Sequence, residues 1–179
     1  MKHPARAIAL GVGVVVVALA VLLASQVNSS PAYKGGKLLD QPVPTFDLPA
    51  LDGNGRVRSD DLQGKVVLIN FWNSWCIPCQ QEHAALSAFY ADHAKDPDFE
   101  MIGIVRDDTT KAARAYVAEH HDGWQFATDP NGQATLGFGT TGQPESYMIA
   151  PNGIVVGLFR SAVTDSDLEE MLSVARKFA

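Results

Sequence analysis

One short stretch, residues 66–79, restricts the possible folds of this chain more than any other. Val66 to Trp72 is an apolar run of β-branched and aromatic residues, a composition typical of a strand buried on both faces. From Pro78 onward the apolar residues recur at helical spacing instead, and a proline in the first helical turn removes no intrahelical hydrogen bond. The pattern predicts a buried strand followed directly by a helix.

Two cysteines, Cys76 and Cys79, lie at this predicted junction. The thiolate is the reactive form of cysteine, and a helix N-terminus stabilises negative charge. We therefore predict that Cys76 is the attacking thiol. Cys79 lies one turn later on the same helix face, where it can attack a mixed disulfide formed by Cys76. It is the predicted resolving thiol.

Other uses of a cysteine pair fit this chain less well. A disulfide that closes a loop of four residues restrains the unfolded chain by only about 2 kcal/mol, so a purely structural bond has little effect on stability. Structural zinc needs four ligands, and the chain contains only two cysteines. Covalent haem attachment requires His directly after the second cysteine, where this chain has Gln80. We predict no cofactor and no metal site.

The segments 64–72 (GKVVLINFW), 74–79 (SWCIPC) and Glu82 resemble the membrane-anchored thioredoxin-like family known as TlpA, ResA and CcmG (DsbE). The likeness runs from about Asp40 to the C-terminus, and it includes Gly142-Gln143-Pro144-Glu145, which is similar to the family's cis-proline segment. Thioredoxins proper carry an aspartate where this chain has Asn70, so the match is to the anchored family.

The resemblance implies roles for several residues besides the cysteines. It implies that Pro144 faces the dithiol and that Gln143 offers backbone groups to an extended substrate strand. Glu82, if partly buried, titrates with Cys79 and accepts its proton at the resolving step. A turn proline and a solvated surface glutamate remain the plainer interpretations of these positions.

Two further residues are predicted to bind substrate, each with a plainer alternative. Trp75 adjoins Cys76 and covers it or forms a contact surface, although tryptophans most often serve in packing. Glu145 is a second candidate acid, and its alternative is an exposed charge at a strand end. His83 is predicted to lie on the surface, and His93, His120 and His121 show no ligand spacing.

The N-terminal part of the chain predicts a membrane anchor. Residues 7–24 carry no charge and would span about 27 Å as a helix, against a hydrocarbon layer of about 30 Å. Lys2 and Arg6 precede them, which favours a cytoplasmic N-terminus. We predict a cytoplasmic segment at 1–6, a transmembrane anchor at 7–26 and a linker at 27–39. The alternative is a cleaved secretory signal, since residues 18–20 resemble a cleavage site.

Residues 40–179 are predicted to form one α/β domain. The order of predicted elements is a hairpin around residues 52–55, then strand, helix, strand and helix, then a short strand, a helical turn across residues 129–132, a second hairpin around residues 151–153 and a final helix capped by Thr164 and Asp167. This order predicts a mixed sheet of four or five strands with helices on both faces, which matches the thioredoxin-like fold that the resemblance implies.

Charge and location restrict the partners. Without Lys2 and Arg6, 12 basic residues stand against 20 acidic ones, a formal charge of −8, which argues against nucleic acid and anionic lipid as partners. Either reading of the N-terminus places the domain outside the cytoplasm, where thiols oxidise by default. A reductase there must receive electrons across the membrane, so an integral membrane thiol–disulfide donor is expected.

The predicted function is a membrane-tethered thiol–disulfide oxidoreductase that works as a reductase. The resemblance implies apocytochrome c as substrate, with its paired cysteines reduced before haem attachment; another exported cysteine-containing protein is the broader possibility. Two alternatives remain open. The same motif forms disulfides when its reduced state is sufficiently stable, as in a DsbA-like oxidase. A copper chaperone would instead hold Cu(I) with thiolates and a histidine.

Overall fold

The computed structural model describes residues 12–22 and 37–178. Residues 12–22 are helical and belong to a unit separate from the rest of the chain. Among the described residues, no helix is both long enough and apolar enough to cross a bilayer. The predicted anchor at 7–26 extends on both sides beyond the described helix, and most of the predicted linker also lies outside the described residues.

Residues 37–178 form a two-stranded sheet, a five-stranded sheet and four α-helices. The strands are β1 (Asp47–Pro49), β2 (Arg56–Arg58), β3 (Val66–Trp72), β4 (Phe99–Val105), β5 (Gln125–Thr128), β6 (Glu145–Ile149) and β7 (Val155–Phe159). The helices are α1 (Ile77–His93), α2 (Thr110–His120), α3 (Gln133–Phe138) and α4 (Asp165–Ala175), with 3-10 turns at Ser59–Leu62 and Arg176–Phe178.

The main sheet is mixed, as predicted. Its strand order is β5-β4-β3-β6-β7; β3, β4 and β5 are parallel, and β6 and β7 run antiparallel to their neighbours. All seven residues of the central strand β3 are buried, which explains why its sequence is apolar except for one residue, Asn70.

Helices cover both faces of the sheet. Ile69 and Phe71 point to one face, where they pack in a cluster with Phe138 of α3 and residues of the β1–β2 hairpin. Asn70 and Trp72 alternate with them and therefore point to the other face. There Asn70 bonds to α1 and Trp72 contacts α2. Helices α1 and α4 also contact each other.

Two predicted boundaries need correction. The helical turn predicted across residues 129–132 is a tight turn, and α3 begins only at Gln133. The Asp129 carboxylate accepts hydrogen bonds from the amides of Ala134 and Thr135, so this acid caps the helix from outside it. At the start of the domain, Leu38 and Leu39 already pack against the core, two residues before the boundary predicted at 40.

The final helix begins as predicted. Thr164 and Asp167 form a reciprocal capping box at the start of α4, which satisfies two backbone N–H groups that would otherwise lack partners. The residue before the cap, Val163, directs its own N–H to the side chain of Glu82 on α1. The beginning of α4 is thereby tied to the helix that carries the cysteines.

Candidate functional site

The two cysteines lie at the junction of β3 and α1 and form a disulfide with a Cα–Cα distance of 5.2 Å. Cys76 is the N-cap of α1, and its Sγ accepts a hydrogen bond from the Cys79 backbone N–H at 3.1 Å. Both side chains are nearly buried, at 4% and 6% exposure. An N–H donor and the positive end of a 17-residue helix both favour negative charge on the Cys76 sulfur.

The chain around Cys76 is held by a neighbouring loop. Asp108 accepts a hydrogen bond from the Ser74 N–H at 2.8 Å, and the Asp107 carbonyl accepts one from the Trp75 indole at 3.1 Å. Trp75 and Ile77 are nevertheless 60% and 67% exposed. Two apolar side chains therefore lie in solvent on either side of Cys76, and Trp75 presents exposed surface next to the cysteine.

Glu82 is buried behind the cysteines, on the same face of α1 as Cys79. It is 2% exposed and accepts hydrogen bonds from the Asn70 side chain and from the Val163 N–H, each at 2.9 Å. Burial raises the pKa of this carboxyl from 4.5 to about 7, although the two hydrogen bonds lower it. The surface interpretation is thereby excluded, and the group can exchange a proton near neutral pH.

Pro144 directly precedes β6, at the end of the sheet where the cysteine segment begins. The Gln143–Pro144 peptide bond is cis, in agreement with the resemblance. Glu145 pairs with Phe71 across antiparallel strands, so the residues just before β6 lie beside the end of β3, where the cysteine segment begins. Arg106 donates hydrogen bonds to the carbonyls of Thr140 and Gly142 and so holds the same loop from the other side.

The structure corrects the expectation that the Glu145 side chain contacts substrate. Glu145 is 1% exposed. One carboxylate oxygen accepts hydrogen bonds from the Thr141 N–H, the Thr141 hydroxyl and the Gly142 N–H, and the other accepts one from the Tyr147 hydroxyl. The carboxylate faces the interior because it satisfies the backbone of the loop that leads to Pro144.

His83 is also placed differently from the prediction. Its side chain is 16% exposed and its Nε2 lies 2.7 Å from Oδ1 of Asp122. The ring packs among Tyr116, His120 and Trp124. The surface assignment was wrong because α2 and the loop after it cover this side of α1. Asp122 was not singled out from the sequence, where a single acid in a polar loop gives no periodic signal.

The fold therefore brings Cys76, Cys79, Glu82 and the Gln143–Pro144 peptide to one end of the sheet. Glu145 stabilises the loop that leads to this peptide. Within residues 12–22 and 37–178, no group of three or more His, Cys, Asp or Glu side chains is arranged to hold a metal ion. What the arrangement can do is exchange a disulfide between two protein chains, with a buried acid close to the second sulfur.

Comparison with known proteins agrees with this chemistry. Residues 38–172 match the family model described as Redoxin. The chain is 35% identical to the thiol:disulfide interchange protein DsbE of Allochromatium vinosum over 77% of this chain and 75% of that protein. It is 32% identical to the thiol:disulfide interchange protein CycY of Rhizobium leguminosarum bv. viciae over 87% of this chain and 78% of that protein.

Solved structures show the same fold. A thiol:disulfide interchange protein of the thioredoxin family from Chlorobium tepidum TLS superposes with a TM-score of 0.68, covering 79% of this chain and 99% of that chain at 22% identity. The fold and the cysteine pair thus define a thiol–disulfide oxidoreductase with a thioredoxin-like fold. Within that class, the chain belongs to the Redoxin family and to the group of thiol:disulfide interchange proteins that includes DsbE.

Proposed function

We propose that this chain is a membrane-tethered reductase that acts outside the cytoplasm on the paired cysteines of apocytochrome c. In this mechanism Cys76 attacks a substrate disulfide, one substrate cysteine leaves as a thiolate, and Cys79 then attacks Cys76 to release the second. The protein ends as the Cys76–Cys79 disulfide, and an integral membrane dithiol donor reduces it again. No dissociable cofactor takes part in this cycle.

The observation that carries the proposal is the buried Glu82 beside the resolving cysteine. Cys79 is buried and must lose a proton before it can attack. A carboxyl group with a pKa of about 7 is well matched to take that proton near neutral pH. The proton received by Glu82 can later return to Cys79 when the disulfide is reduced.

The surface around Cys76 supports a protein substrate. Trp75 and Ile77 offer exposed apolar area on either side of the reactive sulfur. Such area is expected on a surface that a partner chain covers. The backbone of Gln143, next to the cis bond, is the group we assign to pairing with an extended substrate segment. Apocytochrome c as that substrate is supported by the family resemblance.

Tethering to the membrane is part of the proposal. Among residues 12–22, large apolar side chains such as Val12, Val14 and Leu19 are more than half exposed, and exposed apolar surface of this kind is stable only when something covers it. The full chain should therefore sediment with membranes and resist alkaline carbonate extraction. A variant that begins at Lys37 should be released, and equal release of both proteins would contradict the anchor.

Trapping tests the assigned roles of the two cysteines. With Cys79 replaced by Ala, Cys76 still attacks but the mixed disulfide cannot be resolved, so a covalent complex with the substrate should accumulate in cells and disappear on reduction. Cys76→Ala, the matched control, should trap nothing. Equal trapping by both variants would contradict the roles, and a complex that never contains a cytochrome precursor would contradict the substrate.

The reduction potential of the protein tests the direction of electron flow. A reductase should have a reduction potential well below about −180 mV, whereas strong oxidants lie near −120 mV. Equilibrating the protein with glutathione buffers of known ratio gives the value directly. A potential above about −180 mV would favour the disulfide-forming alternative over the reductase.

A further inference from the structure

A small cavity lies next to Cys79, between α1, α2 and the sheet. Its lining includes Asn70, Trp72, Cys79, His83 and Asp122. About 20 Å³ is available there to the centre of a water molecule, and one buried water needs at least about 10–15 Å³ on this measure. The Trp72 indole Nε1, on a side chain that is 5% exposed, has no hydrogen-bond partner among the described residues. The rest of the wall is apolar, including Leu86, Trp124 and Phe126, but a cavity of this size with an unpaired donor and several polar side chains in its wall is suited to bound water.

Two titratable side chains flank Cys79 on α1. An α-helix turns by about 100° per residue, so Glu82 lies roughly 60° to one side of Cys79 and His83 roughly 40° to the other. Glu82 makes its hydrogen bonds to β3 and to the segment before α4. His83 makes its contact on the α2 side, with Asp122. The resolving cysteine thus has an ionisable group on each side.

The Asp122–His83 pair is itself nearly buried. The Asp122 side chain is 2% exposed and lies 2.7 Å from His83. Burial raises the pKa of Asp122, while His83 and His120 lower it. The other titratable groups that face the pair are Tyr116, Glu119 and His120 on α2 and Cys79 on α1, which lines the same cavity. A buried carboxylate is costly unless it is paired. The hydrogen bonds of Glu82 go to Asn70 and Val163 and do not involve Asp122.

We propose that the cavity holds water and that the Asp122–His83 pair accepts the Cys79 proton through it, as a second route beside Glu82. At the resolving step the Cys79 S–H bond breaks, its proton passes through the water to the pair, and the Cys79 thiolate attacks the Cys76 sulfur. The substrate sulfur leaves with the electron pair of the mixed disulfide and takes a proton from solvent. This inference rests on the proposed dithiol exchange and adds a proton acceptor to it.

The test isolates the resolving step. The reduced full chain is mixed with a saturating excess of oxidised glutathione, and the concentration-independent release of the second glutathione is followed between pH 5 and pH 9. Glu82→Gln should slow this step but leave a rise with pH that reflects the second acceptor. Adding Asp122→Asn should slow it at least tenfold more at pH 7 and change the remaining rise with pH, because the carboxylate that shares the proton with His83 is lost.

The substitution at Asp122 separates proton transfer from structure. Asn keeps an oxygen that can accept the His83 hydrogen bond but cannot take up a proton, so a purely structural pair would leave the pH profile unchanged. Asp92→Asn is the matched control, since it removes the same charge at an exposed position of α1 and Asp92 does not line the cavity. It should behave as the parent protein does.

The water has an independent readout in the unsubstituted protein. A nuclear Overhauser effect between the Trp72 indole N–H and a long-lived water should be observed by NMR, and a dry cavity would overturn the proposal. A double variant that resolves as fast as Glu82→Gln alone, with the same profile, would also overturn it. Failure of the parent protein to release glutathione at all would instead contradict the proposed function, so the two failures are distinguishable.

Discussion

At the scale of single residues, Glu82 makes stability depend on pH in an unusual direction for a carboxyl group. Its pKa is about 7 in the folded protein against 4.5 for the free side chain. Between these values the folded state keeps a proton that the unfolded state has lost, so stability falls as pH rises through this window and levels off above pH 7. A shift of this size corresponds to about 3 kcal/mol.

We therefore predict that Glu82→Gln flattens this fall. Gln is neutral at every pH. The Asn70 amide can rotate so that its oxygen accepts hydrogen bonds from the Gln side chain and from the Ser146 hydroxyl, which Asn70 already contacts. Urea unfolding of the disulfide form at pH 5 and pH 8 measures the effect without titration of the cysteines. Glu170→Gln, at an exposed position on α4, is the control. An unchanged pH dependence in Glu82→Gln would show that the carboxyl ionises normally.

At the scale of elements, the loop that precedes β6 depends on one buried side chain. Glu145 accepts hydrogen bonds from the N–H groups of Thr141 and Gly142 through a single oxygen. Glu145→Ala leaves both donors without that acceptor and should destabilise the protein by about 3 kcal/mol. Hydrogen exchange at these two amides should accelerate by a similar free energy, because the loop loses its anchor.

The matched control for this loop is Glu145→Gln, which keeps an oxygen in the same place. It should cost less than half as much stability and protect the two amides better than Ala does. Reduction of a protein disulfide should slow more in the Ala variant than reduction of a small disulfide, because only the former uses the loop backbone. Equal effects of Ala and Gln would mean that the carboxylate is not what holds the loop.

Comparison of the elements shows which of them the sequence could predict. The strand β3, the helix α1 and the capping box at Thr164 were predictable because each leaves a local pattern of apolar period, proline or capping residue. Glu82 was identified by the family resemblance, not by a local pattern. The Glu145 side chain points inward, against the expected direction. The contact between His83 and Asp122 joins residues that are far apart in sequence. Only the packing of α2 and of the β6 loop determines them, and local propensity carries no information about that packing.

At the scale of the whole molecule, the charge is strongly negative. All 20 acidic residues lie at or after Asp40, and the Asp108 carboxylate, which accepts a hydrogen bond from the Ser74 N–H, adds negative charge two residues before Cys76. A field of this sign attracts cationic partners and slows anionic ones, and salt screens both effects over a Debye length of about 10 Å at 0.1 M. Reaction with a partner should therefore depend on the partner's charge.

We predict that a disulfide peptide flanked by lysines reacts with the reduced protein several-fold faster than the same peptide flanked by glutamates at 10 mM salt. The difference should shrink at 150 mM, because the field is screened. Stopped-flow rates for both peptides, with a serine-flanked peptide as reference, provide the measurement. Asp108→Asn keeps an oxygen for the Ser74 N–H and should reduce the difference. Asp60→Asn on the 3-10 turn at Ser59–Leu62 leaves the charge beside Ser74 in place and should change the difference less. Equal rates for the two charged peptides at low salt would mean that the field of the domain does not select its partner, and recognition would then rest on the apolar surface around Cys76 alone.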